Sequence, residues 1–151
     1  MAGVGAGTLL LGIHGAKKAF AQGETLRIGV LQPQAGDCAQ WGLPNTRGAQ
    51  VWAEQHNEVG GLLAGDGKRY QIEIVAYDNV CYVPGEELKA ARRAALEDGV
   101  HFLFQTFTPA CRQAIADLVE GEKVLTTAYG SGYLSAKYPF LMGGLTGSPT
   151  A

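Results

Sequence analysis

The residues best placed to do chemistry form one anion-holding set. Thr108 offers a hydroxyl, and a helix expected to start after Pro109 offers unpaired N–H groups and the positive end of its dipole. Gly130, with no side chain, lets a main-chain amide approach an anion closely. Such a set anchors a small carboxylate or amide group. Catalytic chemistry finds no comparable support. His14, His56 and His101 all lie outside the loops that carry this set, and no acid is paired with a base there. Cys38, Cys81 and Cys111 lack C-x-x-C spacing and have no histidines at zinc-site distances, so no metal site and no cofactor are expected. Gly3-Val-Gly-Ala-Gly7 has no strand ahead of it, as a dinucleotide fingerprint requires.

The elements that must position the set follow from hydrophobic periodicity. Leu26 to Leu31 is a short apolar run ended by Pro33, as in a strand buried on both faces. A loop from Gln34 to Leu43 follows. Pro44 suits a first helical turn, and Ala49, Trp52, Ala53 and His56 recur at helical spacing up to Gly60-Gly61. The unit then repeats: a strand over Ile72–Tyr77, a helix over Glu86–Asp98 closed by Gly99, a strand over His101–Phe107, a helix over Ala110–Glu120, and a strand over Lys123–Ala128. Strands alternating with crossover helices predict an α/β fold, a three-layer doubly wound parallel sheet. Ligands of such sheets lie beyond the carboxyl ends of the strands, which selects the loops Gln32–Leu43, Phe107–Ala110 and Ala128–Gly132.

Composition narrows the setting. The chain has 151 residues, 46% hydrophobic and 17% charged, enough to bury one core. Residues 1–21 read as an export signal: an apolar Gly/Ala/Leu run, then Lys17-Lys18, then Ala19-Phe20-Ala21 in the small-x-small pattern of signal peptidase sites. The apolar run is too short to span a bilayer, so no membrane span is expected. No basic residue precedes it, which a start further upstream would explain, for instance one carrying a twin-arginine motif; a flexible unprocessed tail is the plainer alternative. Without Lys17 and Lys18 the 12 basic residues fall to ten against 14 acidic ones, a net charge of −4 that argues against nucleic-acid binding. In an oxidising compartment two of the three cysteines can pair.

Four segments, in order and spacing, resemble one family. They are Arg27-Ile-Gly-Val-Leu31; Ala39-Gln-Trp-Gly42; Gly48-Ala49 with Asn57, Gly60-Gly61 and Gly65; and Tyr77-Asp78-Asn79 with Cys81 and Pro84. Together they are similar to the type I periplasmic binding proteins, the Leu/Ile/Val-binding family that feeds ABC importers with branched-chain amino acids, amides, urea and small aromatic acids. The likeness runs from about Leu26 to Gly147 but spans only the first third of a typical member. It implies two lobes with solute clamped between them, no chemistry done on the solute, a periplasmic location, and ABC transporter permease subunits as partners.

On the matching positions, the resemblance implies that Trp41 covers the ligand. Phe107 and Thr108 would meet it after the third strand, and Ala128, Tyr129 and Gly130 after the fourth. Plainer roles stand beside these: Trp41 packing on the lobe surface, Thr108 capping the next helix, Arg112 a solvated first-turn arginine, and Lys89, Arg92 and Arg93 part of a charged helix face. The chain departs from amino-acid-binding members at Thr106-Phe-Thr-Pro-Ala-Cys-Arg112, where those members have a Ser/Thr run, and at the bulky Tyr129. Aromatic surface from Trp41, Phe107 and Tyr129 suits a planar ligand, which shifts the expectation towards aromatic acids and similar carboxylates. Some members bond a cysteine at the position of Cys81 to one after the third strand, so the resemblance implies a Cys81–Cys111 bridge.

On this reading residues 22–151 form an incomplete first lobe, with the second lobe absent, and such a half-cleft binds weakly. The alternatives are a sensory ligand-binding domain of a receptor or regulator on the same fold, and a small α/β enzyme complete in itself. Against the enzyme stands the lack of a phosphate loop or an acid–base pair in the expected site.

Overall fold

The computed structural model describes residues 24–106, 110–129 and 137–143. Six strands form one sheet: β1 (Thr25–Leu31), β2 (Leu62–Leu63), β3 (Arg69–Tyr77), β4 (Phe102–Thr106), β5 (Leu125–Tyr129) and β6 (Leu141–Gly143). Their order is β2-β3-β1-β4-β5-β6, and every neighbouring pair is parallel except β2 with β3. The four strands expected from periodicity are all present. The two missed ones are too short to show a period. The α-helices are α1 (Ala39–Glu58), α2 (Pro84–Arg92), which runs on into a π-helical turn at Arg93–Glu97, and α3 (Arg112–Glu122).

Alternation along the strands separates two faces. Leu31, Tyr77 and Leu103 point to one side, where Ala91 and Ala94 after β3 and Ile115, Ala116 and Val119 of α3 close over them in the main core. Burial raises the Tyr77 phenol above its usual pKa, and so does its bond to the Asp98 carboxylate, Oη to Oδ2 at 2.8 Å. Ile28, Val30, Ile74, Phe102 and Phe104 face the other side. There α1 covers part of the sheet and leaves an apolar groove of about 390 Å³ beside Gly48 and Trp52.

Helix α1 differs most from expectation. It starts at Ala39, and Pro44, read as its first turn, lies inside it. The loop after β1 therefore ends at Cys38. Its other end meets the sheet through Asn57. Beyond Tyr70 no strand among the described residues pairs with the outer edge of β3, and the Asn57 side-chain amide takes that place: Nδ2 donates to Ile72 O at 2.8 Å and Ile72 N donates to Oδ1 at 2.8 Å. Asn57→Ala leaves both groups of a nearly buried residue unpaired, so a stability loss of about 2 kcal/mol is expected in urea titration. A loss below about 0.5 kcal/mol would mean that water replaces the amide at no cost.

Near β6, Tyr138 Oη donates to Asp117 Oδ1 at 2.7 Å and Gln113 Nε2 donates to the same oxygen at 3.0 Å. These two bonds hold the Asp117 carboxyl below its usual pKa. They also fasten the segment leading into β6 to α3.

Candidate functional site

The strand order reverses between β1 and β4: after β1 the chain crosses to β3 on one side, then returns to β4 on the other. The crevice beyond the carboxyl ends of β1 and β4 is thus the topological switch point, the place where such sheets take ligands. Its near wall is well braced. Gln32 N donates to Tyr77 O at 3.1 Å, and Asp78 Oδ1 accepts from Gln34 N at 3.1 Å and from Val80 N at 2.8 Å. Gln34 Nε2 bonds Gln32 O at 3.0 Å and Thr46 Oγ1 at 2.8 Å, tying the loop to α1. Asn79 is fully buried, and its Oδ1 accepts from Tyr82 N at 3.3 Å. The Asp78-Asn79 pair signals this bracing in sequence, because short polar side chains after a strand bond the backbone of the turn they enter.

Trp41 stands on the first turn of α1 at the rim of the crevice, with 65% of its surface exposed. Its backbone is held at both ends: its N–H donates to Cys38 O at 2.9 Å, and its carbonyl accepts from Asn45 Nδ2 at 3.0 Å. Ala128 and Tyr129 are the last residues of β5, paired in register with Gln105 and Thr106 of β4. Tyr129 thus ends the strand instead of opening the loop. Phe107, Thr108 and Gly130 lie outside the described residues. Helix α3 starts at Arg112, with Cys111 in the N-cap position and no capping bond from its side chain. Of the expected set, the fold places Trp41, Ala128 and Tyr129 at the carboxyl edge of the sheet.

The expected Cys81–Cys111 bridge is not formed. The disulfide joins Cys38 to Cys81, with Cα atoms 5.3 Å apart. Strand order explains the choice: β3 lies beside β1, so the loops that follow them are neighbours, whereas β4 is one strand further away. Cys111 is buried outside that bridge, its thiol donating to Pro84 O at 2.7 Å. Among the described residues, no three His, Cys, Asp or Glu side chains are grouped to hold a metal ion. No described helix is long and apolar enough to cross a membrane.

Three comparisons bear on this geometry. A family model described as periplasmic binding protein matches residues 25–149. A leucine-, isoleucine-, valine-, threonine- and alanine-binding protein of Pseudomonas aeruginosa is 30% identical over 102 residues, 68% of this chain and 26% of that protein. The chain thus spans about a quarter of the length of that curated relative. Among solved structures, a branched-chain amino acid transporter substrate-binding protein from Streptococcus pneumoniae, in complex with isoleucine, superposes with a TM-score of 0.65 at 24% identity, covering 82% of this chain and 34% of that one. An ABC transporter solute-binding protein from R. palustris, in complex with 4-hydroxybenzoate, superposes with a TM-score of 0.64 at 20% identity, covering 80% and 31%.

Proposed function

The chain belongs to the periplasmic binding protein family, and on that premise we propose that it is a solute-binding component of an ABC importer, working outside the cytoplasm with permease subunits. In this reading residues 1–21 are an export signal and residues 22–151 supply one wall of a two-lobed cleft. The observation that carries the reading is the exposed Trp41 on the first turn of α1, at the rim of the switch-point crevice. A large aromatic surface left open at a ligand-binding edge suits a lid over a small solute. The solute proposed is a small carboxylate or amide, of the aromatic-acid or branched-chain amino acid type. Phe107, Thr108, Ala128, Tyr129 and Gly130 would complete its surroundings.

The wall that residues 22–151 supply is one side of the proposed cleft, and contacts from one side alone are expected to give a dissociation constant of about 1 mM. Titration of isoleucine, leucine, benzoate and 4-hydroxybenzoate, followed by Trp fluorescence and by NMR, tests this. At least one should bind. Trp41→Ala should weaken it about fivefold, since an aromatic contact is worth roughly 1 kcal/mol. Absence of binding across the panel, or an unchanged affinity in the variant, removes the support for this reading.

A further inference from the structure

Helix α1 starts five residues earlier than its own sequence supports. Pro44, its sixth residue, has no N–H to give to the Gln40 carbonyl, so the hydrogen-bond ladder is broken just after the first turn. The usual start signals are missing: Cys38, the N-cap, makes no side-chain capping bond, and no acidic residue stands in the first turn, so the local bonds of the turn, such as Asn45 Nδ2 to Trp41 O, have no cap to build on. Read by propensity alone, the helix begins at Pro44 and Trp41 belongs to the loop.

The partner of Cys38 sits on a piece of backbone that its own residue types disfavour equally. Val80, Cys81 and Tyr82 have φ values of 49°, 58° and 64°, three consecutive non-glycine residues in the left-handed region. Asp78 and Asn79 hold the two ends of that turn through Val80 N and Tyr82 N. The disulfide from Cys81 to Cys38 joins the turn to the residue on which the first turn of α1 is built. Trp41 N donates to Cys38 O at 2.9 Å, so the backbone at the bridge is also the backbone that orients Trp41.

We infer that the Cys38–Cys81 bridge winds residues 39–43 into α1 and thereby positions Trp41 for the solute; loss of the bridge returns the helix start to Pro44. The cysteines are positioning residues that act through Trp41. The part of the inference that concerns solute rests on the function proposed above.

The test uses the full chain in a Trp52→Phe background, which leaves Trp41 as the sole tryptophan of the two. Cys38→Ser with Cys81→Ser removes the bridge without offering Cys111 a new partner. Amide exchange of peptides covering residues 36–46 is expected to speed up about tenfold, with β1 and β4 unchanged, and quenching of Trp41 by acrylamide is expected to change. Adding Pro44→Ala restores the donor to the Gln40 carbonyl and should return the protection without the bridge. A general loss of stability would show no such local rescue. For isoleucine or 4-hydroxybenzoate, whichever binds, affinity should fall about fivefold without the bridge and fall no further when Trp41→Ala is also absent its bridge, because both changes remove one contact. Unchanged exchange at 39–43, or affinity losses that add, would overturn the inference. If the bridged protein binds none of the four solutes of the panel, the transport reading loses its support, while exchange and quenching still decide what the bridge does to the helix.

Discussion

Replacing Gly42 by alanine is expected to lower the stability of the fold by about 3 kcal/mol, although Gly to Ala inside a helix is ordinarily a gain. A Cβ at this position would stand 1.8 Å from the carbonyl oxygen of Pro33, and its next contacts, at 2.6 and 2.7 Å, are also Pro33 backbone. No side chain can swing away to make room. Either α1 moves off the end of β1, or the loop from Gln32 is pushed towards the crevice. Both disturb the bond from Gln34 Nε2 to Thr46 Oγ1 and the seat of Trp41, so weaker solute binding should accompany the lower urea midpoint. Gly48 supplies the control on the same helix. Nothing lies within 4 Å of its would-be Cβ, so Gly48→Ala should stabilise by about 0.5–1 kcal/mol. Opposite signs for the two substitutions are the expected result. Two gains would mean that α1 does not press on Pro33.

Gly42 also shows where reading the sequence succeeds and where it stops. The strands at β1 and β4 are legible as short, mostly apolar runs, and β3 by the alternation of Ile72 and Ile74 with Glu73, while β5 follows from its place after the third helix. The doubly wound order follows from alternation with helices. The start of α1 is not legible. Pro44 carries the strongest local signal of a first turn, and the contacts that override it are a close approach to Pro33 and a disulfide to Cys81, both set by tertiary structure. The bridge itself needed the fold: the sequence says only that two of three cysteines can pair, and the adjacency of β1 and β3 brings Cys38 to Cys81. Leu62–Leu63 and Leu141–Gly143 become strands through their neighbours, since runs of two and three residues have no pattern of their own. At the site, the carboxyl edge was legible from fold logic, and the family resemblance pointed to Trp41, which the fold leaves exposed on the first turn of α1. The bond of Asp78 to its own turn has a sequence signal, but its second bond, to Gln34 N across the loops, was visible only once the strands were placed.

At the opposite end of α1, Gly61→Ala is expected to cost about 4 kcal/mol and to leave solute affinity unchanged. Two penalties coincide there. The residue has φ +95°, outside what an L side chain readily adopts, and its Cβ would lie 2.4 Å from the carbonyl oxygen of Tyr70 in β3. It also stops the helix, its N–H donating to His56 O at 2.8 Å, and its own carbonyl accepts from Arg69 Nη1 at 2.7 Å. Gly67→Ala separates the two penalties, because Gly67 has φ +79° with nothing within 4 Å of a Cβ. That variant should cost about 1 kcal/mol, the backbone penalty alone. Equal losses at Gly61 and Gly67 would mean that the approach of α1 to β3 is soft and that strain at φ accounts for both. The unchanged affinity follows from distance: a helix of 20 residues is about 30 Å long, and its end at Gly61 lies at the amino edge of the sheet, away from the crevice. Asn57 and Gly61 therefore hold α1 to the sheet for stability, while Gly42 and the bridge set where Trp41 stands. Urea midpoints and solute titrations measured on the same variants should separate the two ends of this helix into two classes of effect.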